Sequence, residues 1–145
     1  MNLLIDTGFW YALYDDKDQH HFKAMGMMPI LERHHFLIPY PSLYETIDTR
    51  FSKREKWMSH FHSLIMSSRC SLIPDDKYKN ETLRITFESS LERNRPISLV
   101  DMVIRQMLDD TNLNVQAIVT FNPEDFSDVC RARRKCLISD VDSQL

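Results

Sequence analysis

The chain has 145 residues, of which 43% are hydrophobic and 10% aromatic, and a formal net charge of −3. This composition predicts one globular domain over residues 1–145 and excludes an intrinsically disordered chain. No basic segment precedes a long apolar run at the start, and no apolar stretch is long enough to cross a bilayer. We therefore expect a cytoplasmic protein with no membrane partner.

The negative charge argues against a protein that coats nucleic acid non-specifically, because such binding depends on Lys and Arg neutralising phosphates. Two basic clusters remain compatible with a local basic rim, although solvated helix faces are the commoner explanation of such clusters. The first comprises Arg50, Lys53, Arg54 and Lys56, and the second comprises Arg131, Arg133, Arg134 and Lys135.

Short apolar runs alternate with helical stretches along the chain. The predicted strands are 3–5, 36–38, 71–73, 115–119 and 136–138. The predicted helices are 19–33, weakened in its middle by Gly26 and Pro29, then 42–51, 55–66, 76–93 and 99–108. Such alternation predicts an α/β fold with three α/β/α layers around a mostly parallel, twisted sheet. The two glycines of the chain are too few for a glycine-rich phosphate loop.

Polar side chains follow several of the predicted strands. Asp6 follows the first strand, Glu45 lies a few residues after the second, and Asn122 and Asp125 follow the fourth. Ligands of an open parallel sheet bind outside the carboxyl ends of its strands, so these side chains form a candidate site. Asp101 opens a helix that follows another helix, and for it this argument is weaker.

Helix capping is the alternative role for the same residues. Ser42 and Glu45 match the spacing of a capping box, and Ser98 and Asp101 come close to it. Segment 122–125 is typical of an N-cap followed by a proline and first-turn acids. Each acid taken singly is open to either interpretation, and only their joint placement favours a site.

Carboxylates gathered at one sheet edge repel one another by about 4 kcal/mol per close pair at an effective dielectric near 20. A bound cation removes that repulsion. Ligand sets made only of oxygen favour Mg²⁺ or Mn²⁺ over zinc. Such an ion keeps water molecules and activates them against a phosphodiester. The sequence therefore predicts a magnesium or manganese site with hydrolytic chemistry.

Five segments together resemble the PIN-domain family, compact metal-dependent nucleases that include the VapC-type toxins of toxin–antitoxin systems. They are LLIDTGFW at 3–10, DQHHFKA at 18–24, SLYE at 42–45, ISLVD at 97–101 and VTFNPEDF at 119–126. The resemblance covers nearly the whole chain. It implies that Asp6, Glu45 and Asp101 are the main metal-site acids and that Thr7 is a hydrogen-bonding neighbour of the first. It also implies an RNA substrate, an antitoxin protein as partner, and a homodimer.

The chain departs from the family pattern at its fourth position, where many members carry Asp and this chain carries Asn122. Asp125 in the same loop is the residue that can replace it. Because an amide brings no charge, we expect one firmly held ion, with Asn122 or Asp125 orienting water or a second ion. The same departure leaves an alternative open, a degenerate PIN fold that binds RNA or protein without cutting.

Two other fold families also place Asp after the first strand. A haloacid-dehalogenase-like phosphatase needs a second Asp two residues on, where this chain has Gly8. A phosphoacceptor receiver domain needs an acidic pair at that strand end. Both are therefore disfavoured.

The remaining candidate ligands predict structural roles. Adjacent or alternate histidines (His20, His21, His34, His35, His60 and His62) lack the i, i+4 spacing of a zinc helix. Cys70, Cys130 and Cys136 lack C-x-x-C spacing, so we expect reduced, structural thiols. The aromatic residues Trp10, Trp57 and Phe61 exceed what a chain of this size needs to bury, which favours the homodimer.

Overall fold

The computed structural model describes residues 1–90 and 96–142. Its strands are β1 (Asn2–Ile5), β2 (His35–Pro39), β3 (Cys70–Ile73), β4 (Ala117–Val119) and β5 (Cys136–Ile138). All five form one sheet in the order β3-β2-β1-β4-β5, and every neighbouring pair is parallel. The predicted α/β fold is confirmed, and the sheet is wholly rather than mostly parallel.

Helices connect and cover these strands. Over the described residues they are α1 (Thr7–Tyr14), α2 (His21–Leu31), α3 (Tyr40–Thr46), α4 (Thr49–Ser52), α5 (Glu55–Ile65), α6 (Lys79–Ser90), α7 (Leu99–Asp109) and α8 (Ser127–Arg133), with a 3-10 helix at Pro123–Asp125. The predicted helix 76–93 corresponds to α6, and its last residues, 91–93, lie outside the described part of the chain. The sequence patterns missed α1 and α8.

Helix α1 escaped prediction because it has no polar face. Its buried residues are Thr7, Phe9, Trp10, Ala12 and Leu13, and they lie all around the helix rather than along one stripe. A helix that is apolar on most sides shows no 3.6-residue alternation of apolar and polar residues. Its run of apolar residues is therefore indistinguishable by periodicity from a buried strand.

Helix α2 continues through the two residues that were expected to weaken it. Gly26 lies in its middle and Pro29 in its last turn. Ala24, Met27 and Leu31 are almost fully buried by this helix against the core. Packing of the apolar face thus outweighs the low helix propensity of the glycine and proline, because most helix stability in proteins comes from such burial.

The predicted helix 42–51 is in fact two helices, and the prediction is wrong at the break. Asp48 interrupts the run and caps α4, where its Oδ1 accepts a 2.9 Å hydrogen bond from the backbone N–H of Phe51. Helix α3 already begins at Tyr40, so Ser42 lies inside it, buried, rather than at its N-cap. The capping-box interpretation of Ser42 and Glu45 is therefore wrong.

Alternate residues of the strands face two separate hydrophobic cores. On one face Leu3, Ile5, Phe36 and Ile38 pack with side chains of α1, α2 and α5. On the other face Leu4, Leu37 and Ile118 pack with α7 and α8. This alternation follows from the two-residue period of a strand and produces the predicted α/β/α layers.

The aromatic residues on which the homodimer was predicted lie inside the protein. Trp10 and Phe61 are 0% and 1% exposed, and their ring centroids lie 5.1 Å apart. Trp57 is partly buried against the same core. That basis for a homodimer is wrong for Trp10 and Phe61, since these two side chains offer no surface to a second copy. Large exposed apolar side chains lie elsewhere, among them Phe22, Met25 and Phe87.

The cysteines are free thiols, as predicted. Cys130 is buried, Cys70 is half-buried and Cys136 is exposed. Burial raises the pKa of the Cys130 thiol to about 11, so this side chain stays protonated and behaves as a small apolar group. Within the described residues, no helix is both long and apolar enough to cross a membrane.

Candidate functional site

The first candidate acid lies at the switch point of the sheet. The chain runs from β1 to β2 on one side and later places β4 on the other side of β1. In such sheets the crevice for a ligand opens at the carboxyl ends of the two strands that flank this point. Asp6 follows β1 directly, and its backbone N–H donates a 3.1 Å hydrogen bond to the carbonyl of Val119.

Asp6 occupies the N-cap position of α1 but does not cap it. Its carboxylate forms no capping hydrogen bond with the first turn of the helix. Instead Oδ2 accepts a 2.8 Å hydrogen bond from the hydroxyl of Thr120, the residue that follows β4. Both side chains are buried, with 6% and 0% exposure. The carboxylate of Asp6 is therefore directed to the end of β4 and does not cap α1.

Thr120 contacts Asp6 through its side chain, whereas Thr7 acts on Asp6 through its backbone N–H. The buried Thr7 hydroxyl acts on Glu45 instead, where it lowers the pKa of that carboxyl. Thr120 also accepts a 3.0 Å hydrogen bond from the backbone N–H of Asn122, so one hydroxyl joins Asp6 to the 122–125 loop. Sequence reasoning missed Thr120, although its position directly after a strand was the signal that identified Asp6.

Burial disfavours the ionised form of the Asp6 carboxyl. Loss of hydration raises the pKa of its carboxyl to about 7, the Thr120 hydroxyl opposes the rise, and the nearby Asp101 and Glu45 add to it. Within the described residues no ion pair involves Asp6. A buried carboxylate next to like charges, without a cation, is a typical feature of functional sites.

Glu45 and Asp101 lie near enough to Asp6 to raise the pKa of its carboxyl. Glu45 lies on the exposed side of α3, and partial burial raises its pKa, with a further contribution from Asp101. Asp101 lies in the first turn of α7, where burial raises its pKa and Asp125 adds to the rise. Asp6, Glu45 and Asp101 come from three distant parts of the chain and are brought to one edge of the sheet.

Asp101 also has the structural role that its sequence context suggested. Ser98 is the N-cap of α7, and its Oγ accepts a 3.1 Å hydrogen bond from the backbone N–H of Asp101. The same hydroxyl donates a 2.8 Å hydrogen bond to Oδ2 of Asp101. The near-capping-box interpretation is confirmed here, and it fixes the orientation of Asp101 beside the site.

The fourth position is a connected pair rather than a single residue. The Asn122 amide donates a hydrogen bond to Oδ2 of Asp125. Asn122 is exposed and Asp125 is buried. Arg105 of α7 donates to the backbone carbonyl of Asp125 and holds both oxygens of Asp128 at 2.7 Å. The loop is therefore fastened to α7, the helix that carries Asp101.

The carboxylates do not form a ready-made metal cluster. Over residues 1–90 and 96–142, no group of three or more His, Cys, Asp or Glu side chains lies close enough to hold an ion. The chemistry of the donors nevertheless fits a hard cation. All of them are oxygens, and the buried Asp6 carboxyl lacks an ion-pair partner within those residues. Asp6, Glu45, Asp101 and Asp125 are the residues that would hold such an ion.

An open groove of about 590 Å³ borders Glu45. Its lining includes Thr7, Asp15, Asp48 and Arg50, and Arg50 forms an ion pair with Asp15. The first basic cluster thus contributes one arginine to the candidate site.

The second basic cluster lies at the opposite edge of the sheet. Lys135 precedes β5, and its Nζ donates a 2.8 Å hydrogen bond to the carbonyl of Val115. Arg133 pairs with Asp109 at the end of α7, 2.7 Å away. These contacts place the cluster near the amino ends of the strands, so it does not rim the acids.

The histidines form local contacts, as predicted. His20 stacks on Phe121 with ring centroids 4.5 Å apart, next to Asn122. His60 and Tyr14 share a 2.7 Å hydrogen bond, and His35 and Ser71 share one of 2.8 Å.

No protein-family model matches the sequence, and no curated protein is significantly similar to it. Solved structures do match. VapC20 of Mycobacterium tuberculosis, described as a sarcin-ricin loop cleaving toxin, has 16% identity, a TM-score of 0.65 and coverage of 87% of this chain and 94% of its own.

Two further structures belong to protein pairs. VapBC2 of Rickettsia felis, solved with a DNA fragment from its promoter, has 17% identity, a TM-score of 0.59 and coverage of 88% and 92%. FitAcB of Neisseria gonorrhoeae has 12% identity, a TM-score of 0.55 and coverage of 94% and 96%. All three are PIN-domain toxin–antitoxin proteins. This chain therefore has the PIN-domain fold, and the resemblance seen in its sequence is confirmed at the level of the fold.

Proposed function

We propose that this protein is a Mg²⁺- or Mn²⁺-dependent endoribonuclease and the toxin of a toxin–antitoxin pair. One observation carries the proposal: Asp6 is buried at the switch point of a PIN fold without an ion-pair partner in the described residues, and Asp101 and Glu45, from distant segments, lie near enough to add to the rise of its pKa that burial causes. A divalent cation is the simplest means of offsetting that repulsion.

The acids of this site differ in how firmly the protein fixes their orientation for binding a cation. Asp6 and Asp101 are the most restrained, because the hydroxyls of Thr120 and Ser98 each bind one oxygen at 2.8 Å. Their orientations are thereby fixed before a ligand arrives, which lowers the cost of binding it. A bound Mg²⁺ would supply charge neutralisation and acidify water.

Glu45 has a different place in the proposed chemistry. It is the exposed member of the three carboxylates and borders the open groove. Because the groove beside it is open to water, a carboxylate oxygen of Glu45 can take a proton from a water molecule held there. Asp125 adds negative charge near Asp101, as its effect on the Asp101 pKa indicates.

RNA as substrate and an antitoxin as partner are supported by the neighbours in structure. VapC20 is described as cleaving the sarcin-ricin loop, and VapBC2 is a two-protein assembly by its description. A homodimer also remains part of the proposal, now without the contribution of Trp10 and Phe61. The reading frame next to the gene is the cheapest check on the antitoxin.

Ribonuclease activity is tested on total RNA with Mg²⁺ or Mn²⁺. The wild type should produce fragments, a chelator should stop the reaction, and Asp6→Asn should reduce the rate by at least about 100-fold. Asp6→Asn purified in parallel is also the check for a contaminating nuclease. Cleavage that is equal in Asp6→Asn, or that survives the chelator, contradicts the proposal.

A degenerate PIN fold that binds without cutting is the second candidate. The observation that favours it is the hydrogen bond from Asn122 to Asp125, which joins an uncharged amide to the carboxylate of the fourth position. Under this alternative the wild type cuts no RNA under any of these conditions, and Asn122→Asp acquires activity.

A further inference from the structure

An apolar cavity of about 220 Å³ lies beside the acids, between α3, α7 and the start of α6. Leu99 and Val103 of α7 form part of its wall, and Tyr44 of α3 borders it with 70% of its surface exposed. Glu45 lines this cavity and also the open groove. The cavity and the groove therefore adjoin at Glu45, one of the candidate metal-site acids.

The charged groups at the edge of the cavity are of opposite sign. Asp75 and Lys79 both line it, and they are close enough for Asp75 to raise the pKa of Lys79, after the larger effect of Asp76. Lys79 pairs with Asp76 at 3.0 Å, but both side chains are more than half exposed, so this pair is weak. Lys79 is thus available as a donor to a ligand.

Asp75 supplies the matching acceptor. Within residues 1–90 and 96–142, its side chain forms no hydrogen bond or ion pair. Asp75 can therefore bind a ligand without losing a contact within the protein. An ionised carboxylate only accepts hydrogen bonds, and it accepts two neighbouring N–H groups particularly well. The cavity edge consequently presents one donor next to one double acceptor, above apolar walls.

Guanine is the nucleobase whose edge complements this arrangement. Its O6 is an acceptor, and its N1–H and 2-amino group are adjacent donors that a carboxylate binds together. Adenine and cytosine place a ring-nitrogen acceptor beside their amino group, which a carboxylate repels, and uracil has a single N–H between two acceptors. An exposed aromatic ring such as Tyr44 is the usual platform on which an unpaired base stacks.

We propose, building on the ribonuclease function above, that this cavity is a guanine-selective base subsite for the RNA substrate. Tyr44 stacks on the base, Asp75 accepts from N1–H and the 2-amino group, and Lys79 donates to O6. The phosphate next to that guanosine then faces Glu45 and the other acids. The subsite places a guanosine beside the bond to be cut.

Binding of mononucleotides to the full-length protein tests the subsite without requiring activity. Guanosine 5′-monophosphate should bind roughly tenfold or more tightly than inosine 5′-monophosphate, which lacks only the 2-amino group, and than the adenosine nucleotide. Asp75→Asn should reduce the preference for guanosine over inosine to about twofold or less. Glu81→Gln, the same change of charge on α6 at an exposed residue outside the cavity, should leave the preference intact.

Stacking is tested separately at Tyr44. Tyr44→Ala should weaken the binding of every mononucleotide by roughly 5- to 100-fold, because stacking contributes to the binding of all bases. Tyr44→Phe, which keeps the aromatic ring, should bind like the wild type. When guanosine 5′-monophosphate is added to the wild-type protein, the largest NMR chemical shift changes should occur at the methyl groups of Leu99 and Val103.

The outcomes separate this subsite from the nuclease itself. Equal binding of the guanosine, inosine and adenosine nucleotides, or a guanosine preference that persists in Asp75→Asn, overturns the subsite even if RNA is cut. Guanosine binding that depends on Asp75, in a protein that cuts no RNA, supports the subsite and overturns the nuclease. Binding of none of the nucleotides also overturns the subsite, and the cavity would then suit an apolar side chain of a protein partner.

Discussion

The hydroxyl of Thr120 donates a 2.8 Å hydrogen bond to Oδ2 of Asp6, although the two residues are 114 positions apart. The register of the sheet explains the contact. Ile5 pairs with Val119 across β1 and β4, so the residues that follow them, Asp6 and Thr120, lie side by side. The bond stabilises the ionised form of a buried carboxylate that its surroundings otherwise disfavour.

Thr120→Val should raise the pKa of Asp6 further, because the replacement keeps the shape of the side chain and removes the donor. At pH 8 the free energy of unfolding should fall by about 1.5 to 3 kcal/mol, the contribution of a hydrogen bond to a charged group. At pH 5 the loss should be smaller, since Asp6 is then neutral in the folded protein. Urea denaturation at both pH values measures this. Thr111→Val, at an exposed site, is the control, and an equal loss at the two pH values would count against the account.

Asp6→Asn should stabilise the metal-free protein at alkaline pH. The pKa of Asp6 is about 7 in the folded protein, above its value of about 3.9 in an unfolded chain. Its contribution to stability is therefore full below pH 4 and is lost as the pH rises through 7. The free energy of unfolding of Asp6→Asn should exceed that of the wild type by a few kcal/mol at pH 8, and the difference should vanish near pH 4. Each pH unit between the two pKa values contributes about 1.4 kcal/mol.

Thermal or urea unfolding with a chelator present measures the Asp6→Asn effect. Asp16→Asn, at an exposed carboxylate outside the site, is the matched control. If Asp6 were simply a helix cap, its replacement would instead destabilise the protein by roughly 1 kcal/mol.

Arg105→Leu should loosen the loop that carries Asn122 and Asp125. Arg105 holds the pKa of Asp128 down at about 2, so the stability that this pair provides is present above pH 4 and is lost as the pH falls toward 2. Asp128 is 67% exposed, which limits the pair to less than about 1 kcal/mol. With the bond to the Asp125 carbonyl included, we expect a loss of roughly 1 to 2 kcal/mol at pH 7.

Arg133→Leu is the matched control, because Arg133 also pairs with an aspartate of the same region but is exposed and touches no site loop. It should cost less than about 0.5 kcal/mol. Equal losses in the two arginine variants would show that Arg105 has no special role.

Asp125→Asn should reduce RNA cleavage nearly as much as Asp6→Asn, whereas Asn122→Ala should cost less. Asp125 is the charged member of the pair and acts on Asp101, while Asn122 is exposed and uncharged. Rates on a defined RNA with Mn²⁺ compare the three variants. Normal cleavage by Asp125→Asn would show that the 122–125 loop only begins a helix and has no role in cleavage.

The homodimer should be detectable by sedimentation at tens of micromolar, roughly ten times a micromolar dissociation constant. Phe22, 88% exposed on α2, and Met25 one turn on are the exposed apolar side chains most ready to pair. Phe22→Glu should shift the protein toward monomer, and Phe87→Glu, on α6, serves as the comparison. A wild type that is monomeric at this concentration contradicts the homodimer.

The sequence predicted the strands and most helices because their signals are local. Apolar runs mark the buried strands, and Asp6 and Thr120, which directly follow β1 and β4, mark the edge of the sheet where the candidate site lies. Thr120 could not be assigned a role in this way, since its contact with Asp6 depends on pairing between β1 and β4. Ser42 shows the reverse failure: its spacing from Glu45 fits a cap, but Pro39 at the N-cap and Tyr40 start the helix two residues earlier.

The proposed base subsite illustrates a further limit of sequence patterns. Tyr44 stands beside Glu45 in sequence, but Asp75 and Lys79 reach the same cavity from the start of α6. Asp75 and Lys79 are four residues apart and so are local neighbours, but no period or motif connects them with Tyr44. The proximity of Tyr44 to this pair appears only once α3, α6 and α7 are packed together.

Titration of Mn²⁺ into the metal-free protein, followed by calorimetry, tests the shared cation site most directly. The wild type should bind the ion, Asp6→Asn and Asp101→Asn should each bind at least about tenfold more weakly, and circular dichroism should show both variants folded. Asp16→Asn should bind like the wild type. Unchanged Mn²⁺ affinity in both Asp6→Asn and Asp101→Asn would contradict the shared cation site.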